Sequence, residues 1–165
     1  MPNENANPDS TSIERWLPER SIAELGQALR SGALTSERLT GLYIDRILRH
    51  DRDGMKFNAV LEINPDALRI ARAKDAERAA GEPCGPLHGI PILLKDNIDT
   101  ADRMHTSAGS IALADSFADE DAFVAAKLRE AGAILLGKTN MTEWANFMAE
   151  NMPSGYSSRG GQVLN

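Results

Sequence analysis

The sequence predicts an α/β fold, in which amino-terminal helices lead into the first strands and helices of a sheet-centred core. Three observations predict it. Up to about residue 84 the apolar residues recur mostly at helical spacing, with one strand-like run, "NAVLEIN" (58–64), between them. From residue 85 apolar strand runs alternate with helical sequence: "GIPILLK", then "EDAFVAAKLREA", then "GAILLGKT". Both of those strand runs are apolar without alternation, which marks parallel strands buried on both faces.

Composition sets the outer limits. A chain of 165 residues with 42% hydrophobic and 25% charged residues fits one ordinary globular domain. A net charge of -6 and a pI near 5.1 argue against a nucleic-acid partner held by phosphate contacts. The single cysteine, Cys84, excludes an internal disulfide and fits a reducing compartment. No apolar run has the length to span a bilayer. The opening "MPNENANPDSTSIERW" lacks the basic and apolar regions of a secretory signal, so a cytoplasmic location with no membrane partner is expected.

Residues 1–12 are polar and rich in Asn and Pro, which predicts a disordered lead. Residues 13–84 form a helical region expected to pack on the core. Its first helix has Ser21 as N-cap, Glu24 completing a capping box and Gly32 as the stop, with Ile22, Leu25, Ala28 and Leu29 on one face. A second helix starts at Thr35 or Ser36 and carries Leu39, Leu42, Tyr43, Ile47 and Leu48 as its apolar stripe. The strand over 58–64 ends at Asn64-Pro65. A third helix then runs from about Asp66 to Ala80 and stops at Gly81. Leu68, Ala71 and Ala79 are its candidate buried side; Arg72, Lys74, Asp75, Glu77 and Arg78 form a solvated face.

Residues 85–165 begin the sheet core. One strand ends in Lys95, a helix lies near 120–131, and a second strand is followed by Gly137-Lys138-Thr139-Asn140. A parallel strand–helix–strand unit crosses over right-handed and brings both strand ends to the edge where α/β proteins bind ligands. A doubly wound sheet needs more strands than these residues supply. The core therefore reads as truncated at its carboxyl end, its open edges to be covered by a homodimer or by a missing carboxyl-terminal portion.

Lys95 is the residue that calls for an explanation. A lysine at the end of an apolar strand either stays protonated beside Asp96 or Asp99, or is desolvated and serves as a base or nucleophile. His50, His88 and His105 lack metal-ligand spacing, so no metal is expected. Cys84 has His88 as its nearest candidate base in sequence, a pattern that more often belongs to a plain loop. "GAILLGKT" matches a phosphate-binding loop letter for letter, but its middle is strand sequence following a helix, the reverse of the motif's order. Ser157 and Ser158 in "GYSSRGGQ" are expected in a flexible surface loop.

Three segments in order, "GPLHGIPILLKDNID", "AGAILLGKTNMTEWANF" and "GYSSRGGQVLN", closely resemble the amidase signature family. These are serine amidohydrolases that include the A subunit of glutamyl-tRNA amidotransferase. The resemblance covers roughly residues 20–165. It implies an α/β/α fold around a mixed sheet and cofactor-free catalysis on a small-molecule amide by a Ser–cis-Ser–Lys triad. Lys95, in "LLKDN", matches the triad lysine, the neutral base at the end of the relay. Asp96 and Asn97 in the same motif would fix the strand end behind it. Trp144, Ala145 and Asn146 match the segment lining the acyl-binding side of the pocket. The family's Gly- and Ser-rich signature should follow "GGQVLN", where this sequence stops, and Ser157 and Ser158 precede that point. The expectation is a base without its nucleophile, inactive alone. The readings left open are an amidase, a non-catalytic fragment, an amidotransferase A-like protein, and an enzyme forming a Schiff base on Lys95. The residues present do not name the amide.

Overall fold

The computed structural model describes Ile13 and residues 16–164, so the lead expected over 1–12 lies outside the described residues. Helix α1 (Ile22–Arg30) opens with the capping box: the Ser21 hydroxyl accepts from the Glu24 amide, and the Glu24 carboxylate accepts from the Ser21 amide at 2.8 Å. Helix α2 (Ser36–Arg46) starts at the Thr35 cap and continues as a π-helical turn, Ile47–Asp53. Strand β1 (Val60–Ile63), helix α3 (Ala67–Ala79), strand β2 (Pro91–Lys95), helix α4 (Phe123–Glu130) and strand β3 (Ile134–Thr139) follow. A short hairpin of β4 (Tyr156–Ser157) and β5 (Gly161–Gln162) closes the described chain.

The three-stranded sheet has the order β1-β3-β2. β2 and β3 are parallel, joined through α4, and β1 is antiparallel to β3, so the sheet is mixed as expected. The central strand β3 is apolar on both faces because both are covered. Ile134 and Leu136 pack with Val60, Ala67 and Ala71 on the α3 side, and Leu135 packs with Leu94, Met104 and Ala125 on the α4 side. A third cluster joins α1 and α2 through Leu25, Leu29, Leu39 and Leu42 to Ile90. Gly137 is required where β1 bulges against β3, because a Cβ there would sit 2.3 Å from the Glu62 carbonyl oxygen. The outer edge of β1 is covered: Asp51 accepts from the Ala59 and Val60 amides, and Arg52 donates to the Val60 and Leu61 carbonyls. Among the described residues no strand pairs with the outer edge of β2, and no helix is long and apolar enough to cross a membrane.

Several details differ from the sequence expectation. Ile22 and Leu48 are exposed, because each apolar stripe is wider than the face its helix buries. On α3 the buried residues are Ala67 and Ala71, while Leu68 and Ala79 face out: the small residues let the helix approach the sheet closely. Gly137-Lys138-Thr139 belongs to β3 instead of following it, so the phosphate-loop match is indeed a strand. "GYSSRGGQ" is no loose loop either, since Ser157 is fully buried and pairs with Gly161 beside the turn of the β4–β5 hairpin.

The charged face of α3 has structural work. The Asp75 carboxylate accepts from the Ser36 amide at 2.7 Å and the Glu37 amide at 2.9 Å, capping the start of α2 from a neighbouring helix. Arg78 holds that carboxylate at 2.7 Å and also donates to the Ser36 hydroxyl. Burial acts to raise the Asp75 carboxyl, but the Glu37 and Ser36 amides and the Arg78 guanidinium outweigh it and hold it below its ordinary value. A carboxyl lowered in the fold stabilises above its unfolded pKa and loses that contribution as pH falls through its folded one. Asp75→Ala should therefore lower stability by about 1–2 kcal/mol at neutral pH. Urea denaturation should show the gap from wild type narrowing in acid; a gap that is constant with pH would show that the cap contributes nothing through its charge.

Candidate active site

The carboxyl ends of β2 and β3 lie side by side, with Lys95 paired in register to Thr139. Side chains alternate along a strand, so Lys95 and Asp96 point to opposite faces. Lys95 is exposed, and among the described residues it makes no ion pair. The pairing with Asp96 or Asp99 expected of a plain surface lysine is absent, because Asp96 is committed elsewhere. Asp96 is fully buried and accepts from the Ser107 hydroxyl, from the Gly109 amide at 2.8 Å, and from Arg159 at 3.4 Å. Its backbone carbonyl accepts from the Ser107 and Ala108 amides, both at 3.2 Å. Arg159 extends this network to Glu62 at 2.9 Å, and Glu62 in turn takes the His105 Nδ1 proton at 2.9 Å. A buried carboxylate with this many donors is satisfied, and it fixes the 107–109 loop and the β4–β5 hairpin to the strand end.

A cavity of about 430 Å³ opens at this edge of the sheet. Asn97 and Asp99 from the segment after β2, Thr106 and Ala108 from the following loop, and Met141, Trp144 and Ala145 after β3 line it, with Leu113 and Ser116. Three of the residues singled out in the sequence, Asn97, Trp144 and Ala145, thus meet in one pocket; Lys95, Asp96 and Asn146 are not among its lining. Trp144, Ala145 and Asn146 form a left-handed turn with φ of 50°, 53° and 73°. Each non-glycine residue in that region costs on the order of 1–2 kcal/mol, so the surroundings must hold the turn. They do so through the Trp144 amide, which donates to the Ala108 carbonyl at 3.0 Å, and the Ala145 amide, which donates to Thr142 at 2.9 Å. Next to the turn, buried Glu143 accepts from the Ser158 amide at 2.8 Å, and hydrogen bonds from Ser158 hold its carboxyl below the ordinary value.

The remaining candidates of the sequence reading have structural partners. The Ser157 hydroxyl donates to Asn140 at 2.7 Å and accepts from the Gly160 amide at 3.0 Å. Ser158 Oγ accepts from the Ile111 amide at 2.9 Å. The His88 Nε2 proton goes to the Lys74 carbonyl at 2.9 Å, leaving exposed Cys84 without a base from that atom. Among the described residues no group of three His, Cys, Asp or Glu side chains could hold a metal ion.

Sequence reasoning missed Ser107, Arg159 and Glu62, and it brought Lys138 to the ligand-binding edge without expecting its burial. Lys138 is fully buried on β3, and burial lowers its pKa despite the fields of Asp96, Asp102, Asp99 and Glu62. A signal for it was present: a lysine inside the apolar run "ILLGKT" must be buried if that strand is central.

The sequence profile described as Amidase matches residues 38–164. The chain is 51% identical to the native peptide amidase from Stenotrophomonas maltophilia, with a TM-score of 0.87 over 90% of this chain and 30% of that one. An amidase family protein from Bacillus anthracis is 45% identical at the same TM-score, over 92% of this chain and 30% of that one. The A subunit of glutamyl-tRNA(Gln) amidotransferase from Thermobifida fusca is 45% identical over 130 residues, 78% of this chain and 25% of that protein. The chain spans 18% to 29% of the length of the first curated relatives it matches. The long motifs, the mixed sheet and these likenesses agree: the chain belongs to the amidase family.

Proposed function

We propose that this chain carries the base and part of the acyl pocket of an amidase that hydrolyses a carboxylic amide to acid and ammonia. The observation that carries the reading is the position of Lys95. It ends β2 of a parallel strand–helix–strand unit, free of any ion pair among the described residues, on the sheet edge where Asn97, Trp144 and Ala145 line a cavity. In the proposed reaction a serine hydroxyl attacks the amide carbonyl, and its proton passes through a second, bridging serine toward Lys95. The C–N bond breaks, the nitrogen leaves as ammonia with a returned proton, and water releases the acid from the acyl-enzyme. Asp96 holds the strand end on the face opposite Lys95, Trp144 and Ala145 form the acyl side, and Asn146 closes their turn outside the cavity lining. The Gly- and Ser-rich signature that would supply both serines has no counterpart within residues 1–165, so these residues alone should not turn over. The substrate is a small-molecule amide, no cofactor or nucleic acid takes part, and the setting is cytoplasmic.

A second reading, an amidotransferase A-like protein that passes its ammonia to a partner, is favoured by the 45% identity to the Thermobifida fusca amidotransferase. Release of free ammonia without any partner separates the two.

The test compares ammonia release from a simple aliphatic amide by residues 1–165 and by the protein encoded by the full open reading frame. Only the latter should be active, and Lys95→Ala should lower its kcat at least about 10³-fold. Turnover by residues 1–165 alone would sink the assignment and turn attention to Ser158. Asp96→Ala, by contrast, should cost at least about 2 kcal/mol of stability in chemical denaturation, since it leaves the buried Ser107 hydroxyl and Gly109 amide without their acceptor and opens the 107–109 loop, while Arg159 keeps Glu62. A loss below about 1 kcal/mol would show that the network is slack.

A further inference from the structure

Lys138 has no part in the reaction above, yet it is the largest fully buried side chain of the described chain. A lysine stem is long enough to carry its head to water, and buried lysines usually do so. Here Nζ turns inward and donates to the Ile98 carbonyl at 2.6 Å and to Thr106 Oγ1 at 2.9 Å, with no carboxylate partner among the described residues. Holding an unpaired ammonium inside costs several kcal/mol, which a leucine or methionine of similar volume would avoid. What the lysine provides and they would not is a cross-link. Ile98 lies between Asn97 and Asp99, both pocket-lining, and Thr106 is itself a lining residue eight positions further on. From Thr106 the chain runs to Ala108, whose carbonyl holds the amide of Trp144. One buried donor group thus ties the wall after β2 to the 106–108 wall, and through it to the left-handed turn.

We infer that Lys138 is a positioning residue of this pocket, pinning Ile98 and Thr106 so that the substrate meets walls already at their bound spacing. The inference rests on the reading of the cavity as the acyl-binding site. A preformed pocket lowers the cost of binding without touching the chemical step, so its loss should be felt in KM. Asp96, Asp99, Asp102 and Glu62 face the ammonium at longer range, and Arg159 is ion-paired with both Asp96 and Glu62. The carboxylate nearest in charge terms is therefore already engaged by another cation.

In the full open-reading-frame protein, Lys138→Met should raise KM for an accepted amide about tenfold with kcat within about threefold of wild type. Thr106→Val removes the acceptor and should do the same, Thr106→Ser should restore the wild-type KM, and the Met/Val double variant should be no worse than Lys138→Met alone. Should Lys138→Met not fold, the Val and Ser pair at Thr106 carries the test. Unchanged KM in the Val variant with a lowered thermal midpoint would make Lys138 a mere core residue and overturn the inference, as would a fall in kcat at constant KM. If the wild-type protein releases no ammonia from any amide, the amidase reading fails by itself. Hydrogen exchange then decides the positioning. Thr106→Val should speed exchange over residues 97–108 and 142–147 at least about fivefold, with Thr106→Ser and the α1 amides unchanged. Equal exchange in the Val and Ser variants would overturn it.

Discussion

Asp96 is the group on which the rest of the site depends. It is the first residue past β2, it is buried, and every donor that satisfies it comes from sequence well away from the strand: Ser107, Gly109 and Arg159. A carboxylate without those donors could not remain inside, and the loop and hairpin without the carboxylate would have nothing common to close on. Gly109 is glycine for the same reason. Its φ is +76°, and a Cβ there would lie 2.8 Å from Ser157 Cβ, so the loop reaches the carboxylate only by threading under the hairpin.

The alternation of a strand divides two neighbouring charges into different tasks. Asp96 goes inward and becomes structure, while Lys95, one residue earlier, is left on the other face without a counter-ion among the described residues. Across the ladder Lys138 pairs in register with Leu94, on the Asp96 side, and is buried with it. The lysine that ends β2 and the lysine one residue inside the end of β3 therefore have opposite surroundings. One is exposed and without an ion pair among the described residues; the other is enclosed and bonded to a carbonyl and a hydroxyl.

The pocket wall after β3 is maintained against its own backbone preference. A run of three left-handed residues at Trp144, Ala145 and Asn146 would relax if unsupported, and its support is the Ala108 carbonyl, itself on a residue at φ 49°. Ala108 is reached from Asp96, whose carbonyl accepts the Ala108 amide. Carboxylate, loop and turn are thus one connected piece, and the indole of Trp144 is presented by that piece and not by a regular element.

The order of residues alone is enough to specify the helices with local caps, the parallel β2–α4–β3 unit and the α/β class, and its long motifs give the family and, through that resemblance, the mixed sheet. Capping, apolar periodicity and strand runs are set by neighbours within a few residues, which is why they are legible without a fold. Lys95 is legible for the same reason, since a lysine closing an apolar strand stands out with no tertiary information. Which face of α3 is buried is settled by packing instead, where Ala67 and Ala71 win over Leu68 because close approach to the sheet favours small side chains. Packing also makes Asp75 a cap on another helix, makes Ser157 a buried hairpin serine, and assembles the Asp96–Arg159–Glu62–His105 network. These bonds join residues between 17 and 97 positions apart. A polar group's partner at such a separation depends on how strands and loops stack, on which one-dimensional periodicity is silent.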